Sequence, residues 1–288
     1  MVAMSLDAFT KDTSFPLFIQ YGFHDTDLYR HTHEDFSELV IVLNGSAQHY
    51  VDKDSYQIKK GDIFVISNNT SHGYENTSDF RICNIMYRPQ LLSSETDIRK
   101  LPGYHALFVI EPYLSMEHCF RSRLTLQITD FDEVNNIIYT MIQEYNQKAD
   151  GWKTMMTSYF MRLVVFLSRA YSFPSLTVKY DIVNIAKSVS YMESHFLDPL
   201  SIGELAKQSH LSPRHFTRIF RDSYETTPGQ YIFTLRMQHA CSLLKNSKLT
   251  ISEIAFQSGF NDSNYFTRRF HSFHGVTPKQ YRELRQNN

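Results

Sequence analysis

Three histidines and a glutamate in the first quarter of the chain have the types and spacing of a metal site or a polar ligand site. His31 and His33 flank a single threonine, Glu38 follows them, and His72 follows the pair Gly61-Asp62. Alternate residues of a strand face the same side, so a strand here would direct both imidazoles to one face. Histidines with a carboxylate suit iron, manganese, nickel or zinc. The same groups could bind a small polar molecule without metal, or serve only internal hydrogen bonding, and the sequence leaves all three alternatives open.

Short β-strands are predicted around these residues. The segment 37–43 is rich in β-branched residues and ends at Asn44-Gly45, a pair that favours a hairpin turn. Further strands are predicted at 48–51, 55–58, 62–66 and 80–87. Strands this short and closely spaced are typical of a barrel or sandwich, not of βαβ units. No glycine-rich phosphate loop accompanies them, which argues against nucleotide hydrolysis.

The spacing of the histidines and the glutamate resembles the two motifs of the cupin barrel. Metal-binding cupins use two histidines and a glutamate from the first motif and one histidine from the second. The resemblance implies a cupin-like effector-binding β-barrel over residues 1–125, with or without metal. We expect no cofactor, but a divalent metal, if bound, would be held by the first four members of the ligand-binding set. That predicted set is His31, His33, Glu38, His72, Arg81 and Tyr87, the last two on one face of a later strand.

The carboxyl-terminal region contains the same unit twice. Each copy has the S/T-x-x-E pattern of a helix start, a turn, and a second helix that begins after Ser212 or Asp262. Gly259 stands where a helix-turn-helix needs a positive φ, whereas the first copy has His210, at a cost of about 1 kcal/mol. The matching stretches are 200–211 with 249–260, 216–220 with 266–270, and 227–231 with 277–281.

The second helix of each copy is predicted to read DNA. At about 100° per residue, Phe216 and Phe220 share one face with Ile219, as Phe266 does with Phe270, so these faces form the core. The polar side chains opposite have the chemistry that base edges require: arginine pairs with guanine, asparagine with adenine, and the threonine methyl contacts thymine. The predicted readers are Arg214, Thr217, Arg218, Arg221, Ser263, Asn264, Thr267 and Arg268.

These carboxyl-terminal motifs resemble the signature of the AraC/XylS family of bacterial transcription regulators. The stretch from Ile251 to Tyr281 carries the likeness, in the pieces ISEIAFQSGF, YFTRRF and GVTPKQY. The resemblance implies a seven-helix domain with a long helix, 229–247, between two helix-turn-helix motifs and another helix, 182–196, before them. The front domain is most similar to activators of bacterial L-rhamnose catabolism, through 33–42 and 83–88.

Together these patterns predict a multidomain α+β chain. It comprises an N-terminal cupin-like β-barrel (1–125), a helical dimerisation segment (126–172), a linker (173–180) and a C-terminal all-α double helix-turn-helix domain (181–288). Two amphipathic helical patterns, near 131–145 and 156–167, fall in the dimerisation segment, where they could equally pack on the barrel. The net charge is −1, but the last domain is mildly basic and the remainder acidic, which suits a single DNA-facing module.

The expected function is a sequence-specific activator of sugar catabolism genes, not an enzyme. The expected partners are double-stranded DNA, a monosaccharide such as L-rhamnose, RNA polymerase and a second copy of the chain. The alternatives are a metal-dependent cupin enzyme tethered to a DNA-binding module, and a constitutive DNA-binding protein whose barrel only dimerises. We expect no membrane span or signal peptide, and a cytoplasmic location, because the three scattered cysteines, Cys83, Cys119 and Cys241, are typical of buried reduced thiols.

Overall fold

The computed structural model describes residues 2–114, 124–171 and 180–286. Contacts divide the chain into two compact units, Met1–Ser190 and Tyr191–Asn288. Cys119 and the predicted linker, apart from Tyr180, lie outside the described residues. The α+β fold class predicted from the sequence is confirmed.

One mixed sheet forms the centre of the first unit. Its described strands are β1 (Val2–Met4), β2 (Leu17–His24), β3 (Leu28–His33), β4 (Ser37–Val51), β5 (Asp54–Lys59), β6 (Asp62–Ile66), β7 (His72–Tyr87) and β8 (Leu124–Thr125). They pair in the order β1-β3-β7-β4-β6-β8, with β2 also paired to β7 and β5 to β4. All the pairs are antiparallel except β1 with β3.

The two long strands bend where their register shifts. Between Val42 and Gln48, β4 changes register against β7 through bulges that include Gly45. Gly45 has φ +70°, and a Cβ there would lie 2.1 Å from the carbonyl oxygen of Ser78. The hairpin predicted at Asn44-Gly45 is therefore wrong: the strand continues through it. A bulge and a tight turn both need a residue that tolerates positive φ, so the sequence signal is the same for both.

Alternate residues of β4 and β7 fill the interior of the bent sheet. Val40 and Val42 of β4 are fully buried with Ile82 of β7, together with Phe64 and Tyr74. None of the buried residues in this core cluster exposes more than 1% of its surface. The sheet therefore encloses a close-packed apolar core next to its polar residues.

Helices cover the outer face of the sheet. The shorter ones are α1 (Gln90–Ser93), α2 (Thr96–Arg99), α3 (Pro102–Tyr104) and α4 (Glu111–Leu114), with a π-helical segment, His105–Ile110, between the last two. The two long ones, α5 (Ile128–Gln147) and α6 (Trp152–Tyr171), confirm the two predicted helical patterns and pack against each other. Both bury their predicted apolar stripes, among them Phe131 and Val134 in α5 and Phe160 and Leu163 in α6.

All the regular elements described in the second unit are helices. Its helices are α7 (Tyr180–His195, which begins in the first unit), α8 (Ile202–Gln208), α9 (Pro213–Tyr224), α10 (Pro228–Asn246), α11 (Ile251–Gln257), α12 (Ser263–His274) and α13 (Pro278–Gln286). The pairs α8–α9 and α11–α12 are the two predicted helix-turn-helix motifs, and α10 is the long helix predicted between them. Among the described residues, no helix is both long and apolar enough to cross a membrane.

Candidate nucleic-acid interface and effector site

The turn of each helix-turn-helix motif contains a residue with a positive φ. Gly259 has φ +80° and His210 has φ +57°. A histidine in this left-handed region carries about 1 kcal/mol of strain that glycine avoids. The first turn therefore keeps the geometry of the second in spite of its residue type, as predicted.

Side-chain caps start both recognition helices. Ser212 Oγ accepts a hydrogen bond from the backbone N–H of His215 at 3.3 Å, and Pro213 occupies the first helical position. The Asp262 carboxylate accepts from the N–H of Tyr265 in the same way. Each cap satisfies one of the backbone N–H groups that have no partner inside the helix and leaves the others free. The start of each helix therefore carries a partial positive charge.

The predicted base readers lie on the face of each helix away from its core. Phe216 and Phe220 of α9 and Phe266 and Phe270 of α12 are fully buried. On the opposite faces the arginines and the asparagine are exposed, while the threonines and the serine are half-buried. The exposed readers are Arg214, Arg218, Arg221, Asn264 and Arg268, and the half-buried ones are Thr217, Ser263 and Thr267.

Local hydrogen bonds orient several of these side chains. An Arg218 guanidinium nitrogen lies 3.3 Å from His215 Nε2. Ser263 Oγ accepts from Ser252 at 3.2 Å, and Thr267 Oγ1 donates to the backbone carbonyl of Ser263 at 2.9 Å. Held in this way, a side chain loses less rotamer entropy on binding than a free one.

Sequence reasoning did not select His215 or Tyr265, which occupy matching positions in the two copies. Both are exposed beside the predicted readers. Their equal offset from the caps, Ser212 and Asp262, was the signal available. Arg269 behaves differently from its neighbours, because its guanidinium lies 4.4 Å from the ring centre of Phe233 in α10.

Arg236, in the middle of α10, connects the two motifs and was also missed. Its guanidinium donates to the carbonyl oxygens of Phe196 at 2.6 Å, Gly259 at 2.7 Å and Asp198 at 2.8 Å. Two of these carbonyls precede the first motif and the third belongs to the turn of the second. Burial lowers the pKa of this guanidinium, although the nearby Asp198 opposes that effect. One side chain therefore links the segment that precedes the first motif to the turn of the second.

In the first unit, the strands bring His31, His33, Glu38 and His72 together as a buried group, here called the His–Glu cluster. Their exposed fractions are 8%, 1%, 2% and 1%. His31 of β3 lies directly across from His72 of β7 in the ladder. One possible ligand atom from each of the three histidines lies within 4.8 Å of the others.

Inside the His–Glu cluster, two histidine nitrogens lie within hydrogen-bonding distance of each other, and the Glu38 carboxyl lies slightly farther away. His33 Nε2 lies 3.1 Å from His72 Nε2. Glu38 Oε2 lies 3.9 Å from His33 Nε2 and 3.7 Å from His72 Nε2. His31 Nδ1 lies 3.1 Å from the carbonyl oxygen of Tyr29, which leaves its Nε2 for another partner.

Burial suppresses charge in this cluster. It lowers the pKa of His33 to about 3 and that of His72 well below its usual value, and nearby histidines add to both effects. Burial also raises the pKa of the Glu38 carboxyl to about 8. Without a bound cation, the group at neutral pH therefore consists of neutral imidazoles around a largely protonated acid.

The structure does not bring Arg81 and Tyr87 to the His–Glu cluster. Arg81 is on the surface, where its guanidinium bonds Asp79 at 3.1 Å and lies 5.7 Å from the ring centre of Phe23. Tyr87 is buried beneath α6, with its ring centre 5.2 Å from that of Phe160. Both side chains occupy the outer face of β7, opposite the interior to which Ile82 belongs.

Other polar side chains near the cluster were missed by sequence reasoning. The buried His49 is bonded to the hydroxyl of Tyr56, and its ring centre lies 5.7 Å from that of His72. The Tyr74 hydroxyl is buried, with no hydrogen-bond partner among the described residues. These residues carry no motif spacing that would single them out.

The first residues of the chain flank the cluster. Strand β1 pairs in parallel with β3, with Val2 opposite His31 and Met4 opposite His33. Leu6, next along, is fully buried in a group that includes Phe36, on which the His33 ring stacks at 4.3 Å.

Two capped helices with exposed arginines, each set in a helix-turn-helix, define a DNA-binding protein. Residues 205–284 match the family described as a helix-turn-helix domain, and residues 17–125 match the AraC-like ligand binding domain. The chain is similar to the HTH-type transcriptional activator RhaR of Escherichia coli K12, with 30% identity over 88% of this chain and 86% of that protein.

Solved structures of other proteins match about a third of the chain. The DNA-binding domain of AdpA, in complex with a target DNA, is 28% identical over 35% of this chain and 91% of that chain, with a TM-score of 0.34. The C-terminal domain of the response regulator yesN from Fusobacterium nucleatum is 31% identical over 33% and 93%, with a TM-score of 0.32. Because both family matches and the similarity to RhaR extend over most of its length, the chain belongs to the AraC/XylS family of DNA-binding transcription regulators.

Proposed function

We propose that this protein activates sugar catabolism genes in response to a monosaccharide bound at the His–Glu cluster. The observation that carries the proposal is a buried polar group in the ligand-binding unit of a chain whose other unit holds paired DNA-reading helices. Ligand sites are mostly apolar with a few convergent polar groups, which describes this cluster and its aromatic surroundings. L-rhamnose is the first candidate, because the front domain resembles the rhamnose activators and RhaR is named a transcriptional activator.

On DNA, α9 and α12 would occupy successive major grooves, about 34 Å apart along the duplex. Exposed arginines at equivalent places in both helices, Arg218 and Arg268, are suited to bidentate contacts with guanine. Asn264 would add a contact with adenine. The nearly neutral chain implies few phosphate contacts, so much of the affinity would come from the bases, with a moderate dependence on salt.

Regulation requires that the sugar bind one conformation of the protein more tightly than another, because a ligand with equal affinity for both does not change their populations. A homodimer formed through α5 and α6 would provide such states, and Tyr139 and Met155 leave 61% and 41% of their surfaces exposed on these helices. RNA polymerase would be the partner recruited in the cytoplasm. Sedimentation of the full chain with and without sugar measures the dimer directly.

DNA binding can be measured with duplexes selected from a random library by the full-length protein. Fluorescence anisotropy should give a tighter Kd with L-rhamnose than without, or an altered preference for half-site spacing. Arg268→Ala should weaken binding at one base position, whereas Lys279→Ala, an exposed charge on α13, serves as the matched control. If a panel of monosaccharides changes neither affinity, spacing preference nor transcription, the proposed regulation is wrong.

We assign the first unit a binding role without catalysis. The curated relatives of this chain are transcription regulators, and a sensor needs to release its effector unchanged. Incubation of the protein with the sugar that raises its melting temperature should return that sugar intact. Catalytic conversion would favour the alternative of a cupin enzyme attached to a DNA-binding module.

A further inference from the structure

A thiol and an imidazole are in contact at the end of α12 that lies away from its predicted DNA readers. The Sγ atom of Cys241, in α10, is 3.2 Å from Nε2 of His274, the last residue of α12. We propose that this pair is a modification site, at which a hydroperoxide oxidises Cys241 with His274 as the base, and that the oxidation weakens DNA binding through α12. This control acts within the second unit and does not depend on a sugar.

The two copies of the motif build the same aromatic group from different residues. In the second copy, the His274 ring lies 4.5 Å from that of Phe270 and 5.4 Å from that of Tyr281. In the first copy, Tyr224 holds the equivalent position, at 4.6 Å and 5.4 Å from the matching rings. The fold therefore needs an aromatic ring at this place. The second copy adds to that ring a nitrogen atom that contacts a thiol.

The contact between the thiol and the imidazole also connects two helices. In the first copy, the Tyr231 hydroxyl donates to the buried carboxyl of Glu193 and so joins α10 to the helix before that motif, α7. In the second copy, the bond between Cys241 and His274 joins α12 to the helix before that motif, α10. Peroxides oxidise thiols far more readily than hydroxyl or carboxyl groups. The second motif is thus held by a connection that an oxidant can change.

The surroundings of Cys241 favour reaction at this thiol. It is half-buried, so a small oxidant can reach the sulfur. Burial lowers the pKa of His274, so its imidazole is neutral at neutral pH and Nε2 can accept the thiol proton. The thiolate that results is the reactive form of cysteine. Cys83 provides the contrast, because it is buried and burial raises the pKa of its thiol.

The oxidation step needs one molecule of hydroperoxide and no other reactant. The S–H proton of Cys241 moves to Nε2 of His274, and the thiolate attacks one oxygen of hydrogen peroxide. An S–O bond forms as the O–O bond breaks, and the departing hydroxide takes the proton from His274 to give water. The sulfur is oxidised to a sulfenic acid and the peroxide is reduced to water. A small thiol reverses the change.

The added oxygen atom affects the position of α12. Cys241 packs against the apolar cluster that contains Phe266 and Phe270 of α12. Close-packed interiors do not accept an additional atom without movement of their neighbours. The same two rings hold α12 in the unit, so their movement changes the orientation of its DNA readers. We expect oxidation to weaken specific DNA binding by roughly five- to tenfold, an ordinary size for coupling between two sites.

The first test measures reactivity in the full-length, reduced protein. Hydrogen peroxide is added with dimedone, which traps sulfenic acids, and mass spectrometry gives the labelling rate of each cysteine. Cys241 should be labelled on the order of tenfold faster than Cys83. His274→Gln keeps a hydrogen-bond acceptor but no proton-accepting nitrogen, and should slow labelling of Cys241 about tenfold. His271→Gln, an exposed histidine of the same helix, should leave the rate unchanged.

The second test measures DNA binding by fluorescence anisotropy, without sugar, on duplexes selected by the full-length protein. Peroxide should raise the Kd of the wild type, and dithiothreitol should restore it. In Cys241→Ala, shown to be folded by circular dichroism, peroxide should leave the Kd unchanged. Labelling of Cys241 no faster than that of Cys83, an unchanged rate in His274→Gln, or a loss of affinity that persists in Cys241→Ala overturns the proposal. Labelling of Cys241 without any change in Kd overturns the control of DNA binding.

Discussion

Replacement of Arg236 is predicted to weaken the second unit and loosen the spacing between its two DNA readers. Hydrogen bonds from charged groups contribute about 1.5–3 kcal/mol each. Arg236 makes three such bonds, two of them partly buried and the one to Asp198 exposed. Discounting the exposed bond for solvent, and subtracting the cost of burying the guanidinium, leaves about 3 kcal/mol for Arg236→Met. Arg236→Lys should recover part of this, because an ammonium group cannot reach all three carbonyls in one plane.

A matched control exists in the same unit. Arg282 donates a single bond, 2.6 Å long, to the carbonyl oxygen of Leu249, so it does not connect the two motifs. Arg282→Met should therefore cost about a third to a half as much as Arg236→Met. Urea unfolding of the full chain, followed by tyrosine fluorescence and circular dichroism, gives both values.

DNA spacing separates a positioning role from a merely stabilising one. One base pair inserted between the two half-sites moves the second groove by about 3.4 Å and rotates it by about 34°. The wild-type protein should lose most of its specific affinity on such a duplex, whereas Arg236→Lys should lose less. Two results together would refute this reasoning. The wild type and Arg236→Lys would lose the same affinity on the lengthened duplex, and Arg236→Met would be no less stable than Arg282→Met.

Three further predictions concern single side chains. Arg218→Ala and Arg268→Ala should each cost about 1–3 kcal/mol at one base position, measured on duplexes with single-base substitutions; uniform weakening on all sequences would assign them to phosphate. Burial lowers the pKa of His105 to about 3. Below about pH 6.5, therefore, this histidine is protonated in the unfolded chain but not in the folded one. Its contribution to stability is therefore full above that pH and falls by about 1.4 kcal/mol per unit below it. Between pH 6.5 and 5, the free energy of unfolding measured in urea should fall by about 2 kcal/mol more for the wild type than for His105→Gln. Equal decreases would contradict the lowered pKa of His105. His210→Gly should raise stability by up to about 1 kcal/mol, whereas Gly259→Ala should lower it by more, because its Cβ would lie 2.9 Å from a backbone carbonyl; thermal unfolding that ranks them otherwise would refute the strain argument.

The second unit could be predicted from sequence because its signals are local. The helix predicted over 229–247 is Pro228–Asn246, and the one predicted over 182–196 is Tyr180–His195. Caps, an initial proline and a turn glycine each act within one helical turn, so they can be interpreted without knowing the fold. The repeat supplied an independent check on the caps, which occur in both copies.

The β-unit was harder to predict because its faces and registers depend on distant residues. All six residues from Ile82 to Tyr87 are buried, since helices cover one side of β7 and the core the other. Alternation of apolar and polar residues therefore disappears, and sequence cannot tell which face is inside. This is why Arg81 and Tyr87 were grouped with the cluster.

The four cluster residues could be proposed from motif spacing, but their convergence could not. Whether His33 and His72 meet depends on the register of β3 against β7, which is set by the bulges of the long strands. Arg236 could not be found at all, because its three acceptors are backbone carbonyls. Any residue type supplies a carbonyl, so such a contact leaves no trace in composition or spacing.

The doubled architecture of the second unit has a consequence for engineering and evolution. From Ser212 to Pro228 and from Asp262 to Pro278, equivalent residues recur at a constant interval, and both copies bury matching phenylalanines. The outward side chains of one copy can therefore be randomised while the other keeps the protein anchored on its promoter. Such a protein can change its DNA target sequence in two separate steps, without an intermediate that no longer binds DNA.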